Sequence, residues 1–267
     1  MRKVLVFAFM TLAILGCQKK EKPVENIETE SEAAKPQHPE LLQKALEAHG
    51  GLDKWNSYLT LAYDKIAPNG ATEKQIINLN NRKVLIDRDS VEIGFDGNEV
   101  WISPNLEAYG QGSARFYHNL HFYFFGIPFL LADPGINYEE LGNVTIDSVE
   151  YKTLKITYHE GVGDSDEDVY IAHFDPDTHQ LKLLLYTVTY YGGDGTPSYN
   201  ALKYDQWQDV DGLLLPKEYI GYVYKDGSLG DKRYSATFNN ISLSEEAPNE
   251  SIFEMPKNAE IDSLSKY

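Results

Sequence analysis

Three groupings in this sequence could do chemistry. They are a lone thiol, Cys17; two imidazoles, His118 and His121; and a run of acids, Asp164, Asp166, Glu167 and Asp168. The imidazoles stand three residues apart, so on a helix they share a face. Two imidazoles can share a metal ion, but zinc takes three or four ligands, and the sequence offers no identifiable third. They read as polar residues on a wet helix face. The acids follow Gly161 and Gly163 and offer hard oxygens of the kind calcium takes. An EF-hand loop needs glycine at position six and glutamate at position twelve, and this run has neither. It reads as a solvated hairpin loop. No metal and no cofactor is expected.

Covalent catalysis finds no foothold either. The sequence lacks a G-x-S-x-G elbow, an H-E-x-x-H pair, a phosphate-binding P-loop and a dinucleotide fingerprint. Glu139-Glu140 has no partner at a known separation, which glycoside chemistry requires. The expectation is a protein that is not an enzyme and has no catalytic residues.

Cys17 has the clearest setting. Arg2 and Lys3 give a positive start, Val4 to Leu15 is apolar apart from Thr11, and Gly16 precedes the thiol. That order describes a secretory signal, and the apolar run is shorter than the ~20 residues a membrane span needs. Ile14-Leu15-Gly16-Cys17 resembles the bacterial lipobox, which implies removal of residues 1–16 and lipidation of Cys17. A single acyl chain holds a membrane only marginally, so stable anchoring takes several. Gln18 follows where an Asp would resemble an inner-membrane retention signal, so the expected location is the outer membrane.

The remaining composition narrows the class. The chain has 267 residues and a net charge of −17, which becomes −19 once Arg2 and Lys3 leave with the signal. So acidic a chain repels nucleic acid and anionic head groups, and membrane contact is left to the lipid. With one cysteine there is no internal disulfide. Residues 17–38 lack aromatics and alternate Lys, Glu, Pro, Ala and Ser. They read as a flexible tether spanning on the order of 25 Å. Residues 39–267 suit one domain, and a monomer is expected.

Within that domain, Leu41, Leu42, Ala45 and Leu46 recur at helical spacing, begun by Pro39 and stopped by Gly50-Gly51. Short alternating runs follow, such as Gln75-Ile77-Leu79, Leu154-Ile156-Tyr158 and Ile220-Tyr222-Tyr224. They predict antiparallel strands with one wet face. Asp96-Gly97, Gly192-Gly193 and Asp226-Gly227 predict hairpins. Leu181 to Tyr190 is apolar on both faces and should lie centrally. Residues 113–132 break the pattern with a Phe-rich helix capped by Ser113 and broken at Gly126 and Pro128. Phe116, Leu120, Tyr123 and Phe124 form its stripe.

Phe95-Asp96-Gly97-Asn98-Glu99-Val100-Trp101-Ile102-Ser103-Pro104 resembles the strand–turn–strand segment of the periplasmic lipoprotein-carrier (LolA/LolB-like) superfamily. Other segments look like an envelope lipoprotein family of unknown function. They are Ala48-His49-Gly50-Gly51, residues 128–135, Gly161-Val162-Gly163-Asp164, residues 174–178 and residues 212–216. Unlike the soluble carrier, this chain has a lipobox.

The resemblance implies an α+β, mostly β fold: a strongly curved antiparallel sheet, or half-barrel, with helices covering the concave face. It also implies that acyl chains, or a lipoprotein ligand carrying them, bind in that face under a helical lid. Trp101, Phe116, Leu120, Tyr123, Phe124 and Phe129 are the expected ligand-binding residues. The alternative is a glycan-binding or scaffold module of the outer membrane without a lipid cavity. A flat, exposed tyrosine row would favour glycan; rings converging in a cleft would favour lipid.

Overall fold

Strand alternation dominates the chain because Tyr, Val, Ile and Thr recur on a two-residue period that suits a half-buried pleat. The computed structural model describes residues 38–110, 112–192 and 198–263. The signal segment, Cys17 and all of the tether but His38 lie outside the described residues, as does Gly193.

Two short helices, α1 (Glu40–Ala48) and α2 (Leu52–Ser57), open the fold. Pro39 stands just before α1, and Gly50-Gly51 separates the two, so the glycines end one helix and begin another. Gly50 has φ +109° and lies hard against the Gly212 carbonyl, which leaves no room for a side chain.

A first meander follows: β1 (Thr60–Ile66), β2 (Thr72–Asn78), β3 (Val84–Asp87), β4 (Glu92–Phe95) and β5 (Val100–Ser103). The chain then runs through α3 (Leu106–Tyr109), α4 (Ala114–Gly126) and a 3-10 turn (Phe129–Ala132). A second meander completes the sheet: β6 (Ile136–Ile146), β7 (Val149–Tyr158), β8 (Tyr170–Phe174), β9 (Leu181–Tyr186), β10 (Asn200–Val210), β11 (Leu213–Lys225) and β12 (Ser228–Ser244). A 3-10 turn (Glu250–Phe253) and β13 (Glu260–Ile261) close the described chain.

All strands join one antiparallel sheet in the order β13-β5-β4-β3-β2-β1-β12-β11-β10-β9-β8-β7-β6. The two meanders meet where Thr60 pairs with Ser244, far apart in sequence. The sheet is curved and unclosed, with β13 and β6 at its edges. Its topology explains α4: the chain must travel from β5, near one edge, to β6 at the other. The helix is that crossing, laid over the inner face against β3, β4, β5 and β11.

The sheet is apolar on both faces. The larger core lies under the helices and includes Leu61, Ile77, Leu154, Leu184, Tyr219 and Phe238. A smaller cluster of Ile146, Tyr151, Leu183, Leu185 and Ala201 occupies the outer face. Strand β9 feeds both, so it lies covered on each side, as its doubly apolar sequence requires. Ile220, Tyr222 and Tyr224 do alternate, but Tyr219 and Gly221 are the buried positions beside them. Tyr222 and Tyr224 pack on the outer cluster.

The hairpin signals divide. Asp226 and Gly227 both have positive φ, 53° and 80°, and join β11 to β12 as a two-residue turn. At Asp96-Gly97 the carboxylate of Asp96 instead accepts the Asn98 and Glu99 amides, each at 2.8 Å, in a longer turn. Between β9 and β10 the connection is long, and Gly192 is not in a tight hairpin.

Candidate functional site

Helix α4 carries two adjacent apolar stripes. Ala114, His118, His121, Phe122 and Phe125 form the buried one. Phe125 stacks on Tyr63 at 4.6 Å between ring centres and lies 4.8 Å from Phe238. Phe116, Leu120 and Tyr123 form the other and are only half-buried. Phe124, fully buried, packs 4.7 Å from Tyr186.

The half-buried stripe borders two clefts. One, of about 400 Å³, lies between α4 and the β7–β8 loop; Phe116, Leu120, Tyr123 and Phe124 line it with Tyr158 and Tyr170. The other, of about 550 Å³, lies toward β9 and β12; Phe116 and Leu120 line it again, with Lys65, Val188 and Arg233. Phe116 and Leu120 therefore belong to both walls. Both volumes fall in the range of small-molecule pockets, ~300–1,000 Å³.

Two further expected residues lie elsewhere. Trp101 alternates with Val100 and Ile102 and so points to the outer face. It packs directly on Gly94, its partner across β4–β5, and its indole N–H donates to the Phe253 carbonyl at 2.9 Å. Phe129 stacks flat on Trp55, 4.7 Å away, and is 1% exposed. Neither lines the two clefts.

The histidines correct an expectation. His118 and His121 are 7% and 9% exposed, not on a wet face. His118 bonds the Arg115 carbonyl and packs 4.9 Å from Phe95; His121 bonds the Tyr219 hydroxyl. The helix carries them inward because it crosses the sheet rather than capping it from solvent. Burial lowers both pKa values and so favours the neutral ring. Among the described residues no three His, Cys, Asp or Glu side chains are grouped to hold a metal.

The acidic run proves to be divided in its duties. Asp164 grips Arg115 with both oxygens, at 3.0 Å each. Asp166 accepts the Gly161 amide at 2.6 Å. Asp168 is buried and accepts the Thr189 amide at 2.7 Å. Asp133, across the first cleft, is paired with Arg82 at 2.8 Å. Burial raises the pKa of both Asp133 and Asp168. Both carboxylates line the first cleft, yet each is already held by a structural partner.

Sequence reasoning missed two features that position α4. Its N-terminus is held by Asp262, whose carboxylate accepts the Ser113 hydroxyl at 3.0 Å and the Arg115 amide at 2.9 Å. A carboxylate at that end also suits the helix dipole. Below the helix, Glu73 is 4% exposed and is held by Lys65 (2.9 Å), Arg88 (3.0 Å), Tyr117 (2.8 Å) and Gln75 (2.7 Å). A signal existed: Lys65 and Glu73 pair directly across the β1–β2 hairpin and alternate with Tyr63 and Gln75 on one face.

Residues 81–206 match a family of unknown function, DUF6503. No curated protein matches the chain. A LolA superfamily protein from Nitrosomonas europaea is similar at 14% identity, with 80% of this chain and 96% of that one covered and a TM-score of 0.46. A DUF1329 family protein from Desulfovibrio piger is similar at 13% identity, with 80% and 95% covered and a TM-score of 0.48. A putative outer membrane lipoprotein-sorting protein domain from Vibrio parahaemolyticus is similar at 11% identity, with 76% and 93% covered and a TM-score of 0.41. Among the described residues no helix is long and apolar enough to cross a membrane.

Proposed function

We propose that this chain is an envelope lipoprotein, held at the outer membrane by lipid on Cys17, that takes an acyl chain or another apolar ligand alongside α4. Residues 1–16 are the signal, 17–38 the tether and 39–267 one binding domain, which acts as a monomer. The observation that carries the reading is the double exposure of Phe116 and Leu120, which wall two clefts at once. An aromatic helix serving only as core would turn both stripes inward.

Binding needs no covalent step. Each CH₂ moved from water into an apolar cleft contributes ~0.8 kcal/mol. Residues 104–135 are fixed at both ends by the sheet, so the helix acts as a strap rather than a free flap. Access comes from loosening the pairs that hold it to its flanks, Arg82–Asp133 and Arg115–Asp164.

Mass spectrometry of the chain purified without detergent tests this reading. Co-purified acyl lipid is the expected result. A lipid-free protein that also fails to take up a fluorescent fatty acid overturns it.

A glycan-binding reading keeps one specific support: Tyr199, Tyr222 and Tyr224 lie half-buried on the outer face. Sugar stacking there predicts chemical-shift changes confined to those rings on adding soluble oligosaccharide.

A further inference from the structure

The two clefts differ in charge. In the first, Arg82 and Arg115 are each matched by an aspartate, and Asp168 adds another acid. In the second, Lys65 and Arg233 line the wall and no acid does among the described residues. In a chain with 41 acids against 24 basic residues, that is an unusual local balance.

The two cations also retain donors. Lys65 has three N–H groups; Glu73 takes one and the Tyr117 hydroxyl another, at 2.9 and 2.6 Å. Arg233 is exposed at the rim and bonds the Asn200 side chain; it forms no ion pair among the described residues. Its guanidinium has five N–H donors in a fork that matches carboxylate or phosphate oxygens. Behind Lys65, the Glu73 network holds two cations against one anion, since Arg88 also binds Glu73. Most of the rest of the wall is apolar or aromatic, with Phe116, Leu120, Val188 and Tyr186 among it, and Asn200, Ser235 and the neutral-favouring ring of His121 complete it.

A wall that is greasy on one side and carries more cationic than anionic charge on the other suits a molecule built the same way. We infer that the second cleft binds an anionic amphiphile, with its carboxylate or phosphate head against Lys65 and Arg233 and its hydrocarbon against Phe116 and Leu120. The inference rests on the apolar-ligand reading and adds to it the charge of the ligand and the residues that select it. Burial already lowers the Lys65 pKa, and an anion drawn alongside relieves that cost.

The test compares cis-parinaric acid with its methyl ester, titrated into the purified full-length chain. A hydrogen-bonded ion pair at a partly buried site predicts that the acid binds about tenfold more tightly. Arg233→Gln should erase most of that preference. Lys232→Gln, which removes a neighbouring exposed cation that does not line the cleft, should leave the preference intact. Arg233 is exposed, so its replacement leaves the core alone; Lys65→Met serves as a second variant and should act in the same direction if it folds.

The outcomes separate the two claims. Equal binding of acid and ester overturns the charge selection and leaves the apolar reading standing, as does an Arg233→Gln variant with the full preference. Binding of neither compound overturns both. Inorganic phosphate distinguishes the source of the anion. Weak competition supports an amphiphile, and competition as strong as that of the fatty acid identifies a free small-anion site and contradicts the inference.

Discussion

Arg82 holds both carboxylate oxygens of Asp133, at 2.8 and 2.9 Å, while its guanidinium carbon lies 5.5 Å from the centre of the Phe122 ring. The contact ties the β2–β3 turn to the segment that leaves α4. Both partners are more than a third exposed, so the pair adds only ~0.2–1 kcal/mol to stability. Its effect should be kinetic. Asp133→Asn is expected to speed both uptake and release of a fluorescent fatty acid in stopped-flow mixing, with little change in Tm.

The two stripes of α4 should respond differently to truncation. Phe125 is fully buried against Tyr63 and Phe238, so Phe125→Ala should cost about 3–5 kcal/mol in urea unfolding. Leu120 is half-buried, and Leu120→Ala should cost no more than about 1–1.5 kcal/mol while weakening ligand binding. Equal stability losses at the two sites would place both stripes in the same solid core.

The outer face makes its own prediction. Trp101 occupies the space a side chain at Gly94 would need, and Gly94→Ala should therefore displace the indole from the Phe253 carbonyl. Overpacking of this kind costs about 1–3 kcal/mol. Because Trp101 faces away from both clefts, ligand affinity should hold. A matched loss of affinity and stability would show that the faces are coupled.

Stability should fall in mild acid. His49 and His173 are buried, and desolvation lowers both pKa values from 6.5 to about 4. The unfolded chain takes up these protons as pH drops through 6.5, whereas the folded chain resists until about 4. Each ring therefore contributes roughly 3 kcal/mol above that window, lost as pH falls through it. Urea midpoints should be flat above pH 6.5 and decline toward pH 4, and His173→Gln should make the decline shallower. A midpoint unchanged across the window would mean that these rings are solvated.

Local chemistry explains which parts of this structure were legible in the sequence. The Ser113 cap, the Asp226-Gly227 turn and the two-sided burial of β9 each follow from a few adjacent residues. Features set by distant pairing did not. Nothing near Thr60 announces its pairing with Ser244, and without that junction the role of α4 as a crossing is invisible. The same gap misplaced His118 and His121. Trp101 illustrates a different ambiguity: where both faces of a sheet are apolar, alternation tells which residues share a face but not which face the helix covers. Around the site, the stripe of Phe116, Leu120 and Tyr123 was readable from helical spacing. The Glu73 network was not, because charged residues are rarely buried unless paired, and the pairing appears only once the hairpin register is known.

The most direct measurement is a titration of cis-parinaric acid into the wild-type chain and into Leu120→Trp, which fills the space between the clefts. The account predicts a saturable fluorescence rise in the wild type and an affinity at least roughly tenfold weaker in the variant, at similar Tm. An unsaturable rise in both proteins, or the same affinity in both, would contradict it.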